Sequence, residues 1–340
     1  MQFFHPVVHN QSRSIAWFKG ISTYLDIAME KNLIIGASGQ LGIELIIGLQ
    51  ERFGKESVVA TDIKKGEDEL ANRSEFILLD ATDSNALREV IEEHQITTIY
   101  QLVAMLSAKG EENPLAAWDL NMKTLLNVLE FAKEGLIKKV FWPSSIAVFG
   151  PDAPKDGTPQ DTFCDPTTIY GVSKVAGELW CNYYNDKYGV DVRSLRYPGL
   201  IGHRSMPGGG TTDYAVEAFY KAINSEEFEC YLSPNEVLPM MHMNDAVRAT
   251  IELMDAPSEN IKLRTSYNLS GCSFSPSELN DTIAKHCPNF VTKYNPDSRQ
   301  NIAASWPNEI DDSLASSHWG WKPEYGTEEL VAAMLNALRN

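Results

Sequence analysis

Tyr170 and Lys174 lie four residues apart in IYGVSKVAGELWCNYYNDKYG, a stretch without proline. Residues at i and i+4 share one face of a helix, so this phenol and this ammonium point into one cleft. A free tyrosine, with a pKa of about 10, is a poor base at neutral pH. A neighbouring ammonium favours the phenolate, by about 1.4 kcal/mol for each unit of lowering. Tyr170 is thus a candidate base that takes a proton from a substrate hydroxyl while hydride leaves the same carbon. Ser145, closing the run VFWPSS, can hold that hydroxyl by a hydrogen bond. Singly, each residue has a plainer explanation: a lysine stem lying over an aromatic ring, or serines forming a turn.

Hydride transfer needs an acceptor, and the chain offers a place for one upstream. Leu33, Ile34 and Ile35 read as a buried strand, followed by Gly36, Gly39 and Gly42 at the spacing G-x-x-G-x-x-G and then by a helix. Such glycines let the backbone turn tightly and approach a pyrophosphate, which the N–H groups and dipole of the new helix attract. Alone this is any tight strand-to-helix turn. Asp62 ends the next strand, Val58 to Ile63, 20 residues beyond Gly42. A carboxylate there accepts both ribose hydroxyls and repels a 2′-phosphate, which favours NAD over NADP. Lys64 and Lys65 belong to the following solvated loop.

The intervening pattern supplies the scaffold. Leu41, Leu45 and Leu49 mark one helical face, and Glu75 to Leu79 is a third strand ending in Asp80, where an adenine amino group is expected. Asp83 caps a helix from Ser84, and Ile96 to Val103 is a fourth strand running into Ala104–Ala108. A long helix spans Asn113 to Lys133, and Val140 to Trp142 is a fifth strand. Five alternations of strand and helix predict an α/β protein with a doubly wound parallel sheet. Ligands then gather at the carboxyl ends of the strands, where the glycines, Asp62, Asp80, Ser107 and Ser145 all stand.

Composition narrows the partners. The 340 residues are 43% hydrophobic and 22% charged, with a formal net charge of −17. That balance argues against nucleic acid or an anionic membrane and for a small-molecule substrate. The five cysteines form no C-x-x-C pair and the seven histidines no zinc-site cluster, so neither a disulfide framework nor metal catalysis is expected. No run approaches the roughly 18 apolar residues of a membrane span. Residues 1–28 are poor in acids, with Arg13 and Lys19 as bases. They read as a mitochondrial matrix targeting segment, as a surface extension of a cytoplasmic protein, or as sequence upstream of a start at Met29.

GASGQLG, SSIAVFG and YGVSK together resemble the extended short-chain dehydrogenase/reductase family, and the resemblance covers nearly everything from Lys31 onward. It implies a Rossmann-type NAD-binding domain over 29–198 and a smaller, mainly substrate-binding lobe over 199–340, some segments of which return to the first domain. Ser145, four positions before Phe149, takes the place of the hydroxyl residue that joins the Tyr/Lys pair. Phe149 stands where a tyrosine is commoner. Lys174 would both lower the Tyr170 pKa and bind ribose. Cofactor contacts are expected from Gly36, Gly39, Gln40, Leu41, Gly42, Asp62, Asp80, Ala81, Leu102, Lys174, Tyr197 and Pro198.

Within the family, LVAMLSAKGEENP, WPSSIAVFGP, RYPGLIG, PGGGTTDYAVEAF and RQNIAASWP resemble the branch that oxidises L-threonine at C3. This implies substrate contacts from Ser107 and from Thr211 or Thr212, with Trp306 shielding the site, alongside Ser145 and Tyr170. Gly208 to Gly210 would form a mobile lid that excludes water. The plainer alternatives are a flexible loop and a core tryptophan. The helices bearing Trp118 and Trp180 are expected to supply a homodimer face, as in relatives. Further along, Asn244 or Asp245 is the expected cap of a helix to Met254, and His242 a satisfied, partly buried histidine. Two alternatives stay open: epimerisation of a nucleotide sugar, and a scaffold that binds NAD without turning anything over.

Overall fold

The structure is a computed structural model that describes residues 30–64, 66, 74–206 and 208–339. The readings of residues 1–28 and of Lys65 lie outside the described residues. The described residues from Lys31 onward form one compact unit.

Its centre is a seven-stranded sheet in which every pairing is parallel. The strands are β1 (Asn32–Ile35), β2 (Val58–Asp62), β3 (Glu75–Leu78), β4 (Thr98–Gln101), β5 (Lys139–Ser145), β6 (Asp191–Tyr197) and, from late in the chain, β10 (Tyr267–Asn268). Spatially they run β10-β6-β5-β4-β1-β2-β3. Strand order therefore reverses between β1 and β4, which opens a crevice at their carboxyl ends. Strands buried on both faces need no alternation, and β1, β2 and β4 are buried along nearly their whole length.

Helices cover both faces. Leu45, Ile46 and Leu49 of α1 (Gln40–Phe53) pack one side with Ala246 and Leu253 of α7 (Met243–Asp255). Opposite are α2 (Ser84–Glu93), α4 (Pro114–Lys133) and α5 (Ile169–Tyr188), which bury Leu87, Leu125, Leu129 and Cys181. Asp83 caps α2 by accepting the N–H groups of Asn85 and Ala86. The short α3 (Ser107–Glu112) leads from β4 towards α4.

A third apolar cluster joins the turn 146–149 to later segments. These include α6 (Tyr214–Ile223), α8 (Pro276–Ala284), α9 (Arg299–Ala304) and α11 (Thr327–Arg339), with α10 (Ser313–Trp319) preceding the last. Small sheets of β7 (Gly199–Ile201), β9 (Leu238–His242) and β11 (Cys272–Phe274), and of β8 (Phe228–Cys230) with β12 (Thr292–Tyr294), lie in this part of the chain.

The cap of α7 differs from the expected Asn244 or Asp245. The Nδ1 of His242 accepts the Asn244 N–H at 3.2 Å. Burial, which drives its pKa down to about 4, keeps that imidazole neutral and able to accept. Asp245 instead binds Arg248 and the N–H groups of Glu324 and Tyr325. Among the described residues no helix is long and apolar enough to cross a membrane, and no three His, Cys, Asp or Glu side chains group as metal ligands.

Candidate active site

The glycine turn is stitched to the end of β2. Gly36 N–H and Ala37 N–H donate to the Thr61 carbonyl at 2.9 and 3.0 Å, and Ser38 N–H donates to Asp62 Oδ2 at 3.0 Å. Gly36 has φ +89°, and a Cβ at Gly42 would stand 2.5 Å from the Gly36 carbonyl oxygen. Both positions exclude larger residues, one by conformation and one by close approach. Gly39 opens α1 with no side-chain cap, which leaves the first amides of a 14-residue helix for an anion. The Gln40 Nε2, buried in this turn, has no hydrogen-bond partner. A glycine cradle, an open helix end and an orphaned amide fit a dinucleotide, with Asp62 at the strand end for the ribose.

The remaining expected cofactor residues are spread along the same strand ends. Leu41 follows Gln40, and Leu102 N–H bonds the Ile35 carbonyl beside the turn. Asp80 is exposed and accepts the Thr82 N–H, a bond that holds its carboxyl below the usual range. Ala81 is buried, its carbonyl taken by Asn127. Tyr197 ends β6 and Pro198 follows it. The Tyr197 ring, however, turns into the core under α7, where its hydroxyl bonds Thr250. Only the backbone of Tyr197 is left facing the strand end.

The proton-handling residues meet where α5 crosses β5. Thr168 caps α5 by accepting the Gly171 N–H, and a side chain at 171 would run into the Ala147 carbonyl at 2.1 Å. That close approach brings Tyr170 beside Ser145, whose hydroxyl exerts a downward pull on the pKa of the phenol. Lys174 is buried, its Nζ donating to the Pro143 carbonyl at 2.5 Å and lying 4.5 Å from the centre of the Trp142 ring and 5.4 Å from that of Tyr170.

Electrostatically the pair departs from the sequence expectation. Burial pushes the Tyr170 phenol up to about 12, against a smaller opposing pull from Ser145, and pulls Lys174 down to about 7. Removing two polar groups from water disfavours both charged forms, and this outweighs their attraction. A prediction follows for the protein without added dinucleotide. Lys174 binds fewer protons folded than unfolded, so its contribution to stability is fully present above its ordinary pKa and is lost as pH falls towards 7. Lys174→Met should therefore stabilise the fold at pH 7 by on the order of 3 kcal/mol, less than the full desolvation because Pro143 loses its partner. Urea unfolding at pH 7 and pH 9 checks it. The advantage must shrink at the higher pH, and equal differences at both would contradict the burial account.

The substrate side is assembled from distant segments. Ser107 Oγ and Thr211 Oγ1 lie 3.1 Å apart, both buried. Thr212, half-buried, packs on Gly199. Trp306 lies in the cluster that includes Phe149, and Tyr170 packs against that cluster. Two carbonyls beside it, of Ala304 and Trp306 itself, accept Lys155 Nζ.

Several contributors were not singled out from sequence. Glu111 of α3 accepts the Ile169 N–H at 2.8 Å, tying the helix of Ser107 to the amide before Tyr170. Asn121 bonds both Met105 and Ser173, fixing the chain before Ser107 onto α5. Glu178, 4% exposed, accepts Ser144 Oγ at 2.6 Å and two bonds from Arg196 at 2.8 and 2.7 Å. Tyr170, Lys174 and Glu178 repeat at i, i+4 and i+8, so helical periodicity carried the signal for the third. An arginine inside a buried strand likewise demands a partner.

Comparisons with known proteins agree with this geometry. A match to the NAD dependent epimerase/dehydratase family spans residues 32–270. The chain is 46% identical over 312 residues to an uncharacterised epimerase/dehydratase of Staphylococcus haemolyticus, covering 91% of this chain and 98% of the relative. Among solved structures it is similar to a GalE-like L-threonine dehydrogenase from Cupriavidus necator in its holo form. That likeness has a TM-score of 0.88 and 51% identity, covering 91% of this chain and 99% of the other. It is also similar to a monomeric L-threonine 3-dehydrogenase from a metagenome, with TM-score 0.87, 45% identity, and 91% and 98% covered.

Proposed function

The chain belongs to the NAD dependent epimerase/dehydratase family and is a NAD-dependent oxidoreductase of the extended short-chain type, and we propose that it oxidises the 3-hydroxyl of L-threonine to 2-amino-3-oxobutanoate. One observation carries this reading. Ser107 and Thr211, 104 residues apart, form a buried hydroxyl pair, and Ser107 begins the helix whose Glu111 holds the amide next to Tyr170. Two small hydroxyls suit a compact zwitterion, which needs hydrogen bonds and little volume. Identity of 45–51% to threonine dehydrogenases over nearly their whole length supports the same substrate.

In this reading Ser145 orients the substrate hydroxyl and Tyr170 accepts its proton. Lys174, fixed by the Pro143 carbonyl, places positive charge beside the phenol. Bound NAD supplies a cationic ring that accepts hydride. The dry surroundings that raise the Tyr170 pKa also magnify the effect of each positive charge near it, so the charges of Lys174 and of bound NAD would favour the phenolate, the form that can accept the proton of the substrate. Gly36, Gly39, Gln40, Leu41, Gly42 and Asp62 would hold the dinucleotide, with Asp80, Ala81 and Leu102 around its adenosine half and Pro198 at the far end.

NADH formation by the purified protein, with L-threonine, L-serine, D-threonine and a UDP-hexose side by side, tests the proposal. Preference for L-threonine is expected. UDP-hexose turnover without net NADH would favour the epimerase alternative, and tight NAD binding with no reduction would favour the scaffold. Arg299, a cation close to the Thr211 loop, is already engaged by Asp297, which leaves little to grip a diphosphate.

The proposal extends to a homodimer. Leu179, Trp180, Tyr183 and Tyr188 are exposed along α5 and form an apolar face with Trp118 of α4 half-buried nearby in the sheet-side cluster. Sedimentation as a single chain at micromolar concentration would refute this part.

A further inference from the structure

Asp213 occupies the cap position of α6, where an aspartate ordinarily accepts N–H groups of its own helix. Here it does not. Its φ and ψ are −65° and −15°, no side-chain cap bond forms, and Oδ2 turns back to accept Gly209 N–H at 2.9 Å and Gly210 N–H at 2.8 Å. A helix cap is forgone for two bonds to the preceding turn. Asp213 as a whole is only 9% exposed, an expensive place for a charge unless it is bonded and balanced. The glycine amides bond it, and the Arg299 guanidinium supplies opposite charge. Arg299 lies 3.1 Å over the Tyr231 ring, and the Tyr231 hydroxyl in turn donates to the Gly210 carbonyl at 3.4 Å.

We propose that Asp213 is a positioning residue for the substrate: its carboxylate clasps the turn 208–210 and thereby sets Thr211 against Ser107. The inference rests on the reading that this hydroxyl pair meets the amino acid. Three successive glycines have the widest conformational freedom of any tripeptide, and Gly209 sits at φ +99°. Without the clasp each substrate molecule must order this turn itself, at a cost in backbone entropy. That cost falls on binding. Asp213 touches neither the proton path nor the dinucleotide cradle, so chemistry and NAD affinity are spared.

The test compares wild type with Asp213→Ser and Asp213→Asn in the full chain. Serine is itself a good helix cap, so Asp213→Ser keeps α6 while being too short to reach the glycines. Its KM for L-threonine should rise at least tenfold, with kcat within about threefold and the NAD dissociation constant unchanged. Backbone hydrogen exchange in the peptide spanning Gly209 and Gly210 should accelerate at least tenfold. Asparagine keeps one acceptor oxygen and should restore KM and exchange to within about threefold of wild type. Unchanged exchange in Asp213→Ser overturns the clasp, as does faster exchange with an unchanged KM. If wild type prefers another hydroxy compound, the threonine reading fails separately. The same exchange and KM comparison, made with that compound, still decides the role of Asp213.

Discussion

Tyr170→Phe is expected to lower kcat for L-threonine by about 10²–10⁴-fold, the range for removing a positioned proton acceptor. The NAD dissociation constant should change less than threefold, because the phenol lies outside the glycine turn and the Asp62 strand end. Phenylalanine fills the same volume against the third apolar cluster, so the fold should be kept. What is lost is the phenol hydroxyl beside Ser145. Single-turnover NADH formation with stopped-flow detection separates the chemical step from release of product. A variant retaining more than a tenth of the wild-type rate in that step would remove Tyr170 from the proposed mechanism.

The largest effect on stability is expected at Glu178. Its ion pair with Arg196 is buried on both sides, 5% and 6% exposed, and Arg196 also donates to Gln160 and Asn268. Glu178→Gln leaves the guanidinium without a counter-charge and should cost about 3–5 kcal/mol, the usual result of breaking rather than replacing a buried pair. For a chain of this size that is roughly a 10 °C fall in Tm. Replacing both partners by methionine should cost much less than the sum of the two single changes, since no uncompensated charge remains. Denaturant unfolding of the three variants checks this, and a loss below about 1 kcal/mol in Glu178→Gln would contradict it. Glu178 also holds Ser144, between Pro143 and Ser145, so its loss should loosen the strand end that Lys174 and Tyr170 use.

Much of the fold was legible because its signals are local. Apolar runs of strand length, helices of matching period and the glycine spacing each depend on neighbours a few residues away. Asp83 as a cap was readable for the same reason, since the amides that it accepts lie two and three residues on. The cap of α7 was not. His242 caps because its buried ring nitrogen stands against the Asn244 amide, and its burial is set by segments far along the chain, including Tyr325 stacked at 4.2 Å. Tyr197 was legible as a strand-end residue. The direction of its ring was not, because that depends on α7 crossing beneath the sheet.

The site divides along the same line. Local spacing shows which chemistry-bearing residues share an element: the glycines on one turn, Asp62 at the next strand end, and Tyr170 and Lys174 on one helical face. Long-range packing settled the rest. It brought Ser107 to Thr211 and Ser144 to Glu178, and it made Asp213 face the turn before its helix rather than the helix itself. It also reversed the expected electrostatics of Tyr170 and Lys174, raising one pKa and lowering the other. Spacing along a helix fixes which groups are neighbours. How much water surrounds them, and which distant group offers the next hydrogen bond, are set by packing, and those two quantities govern charge.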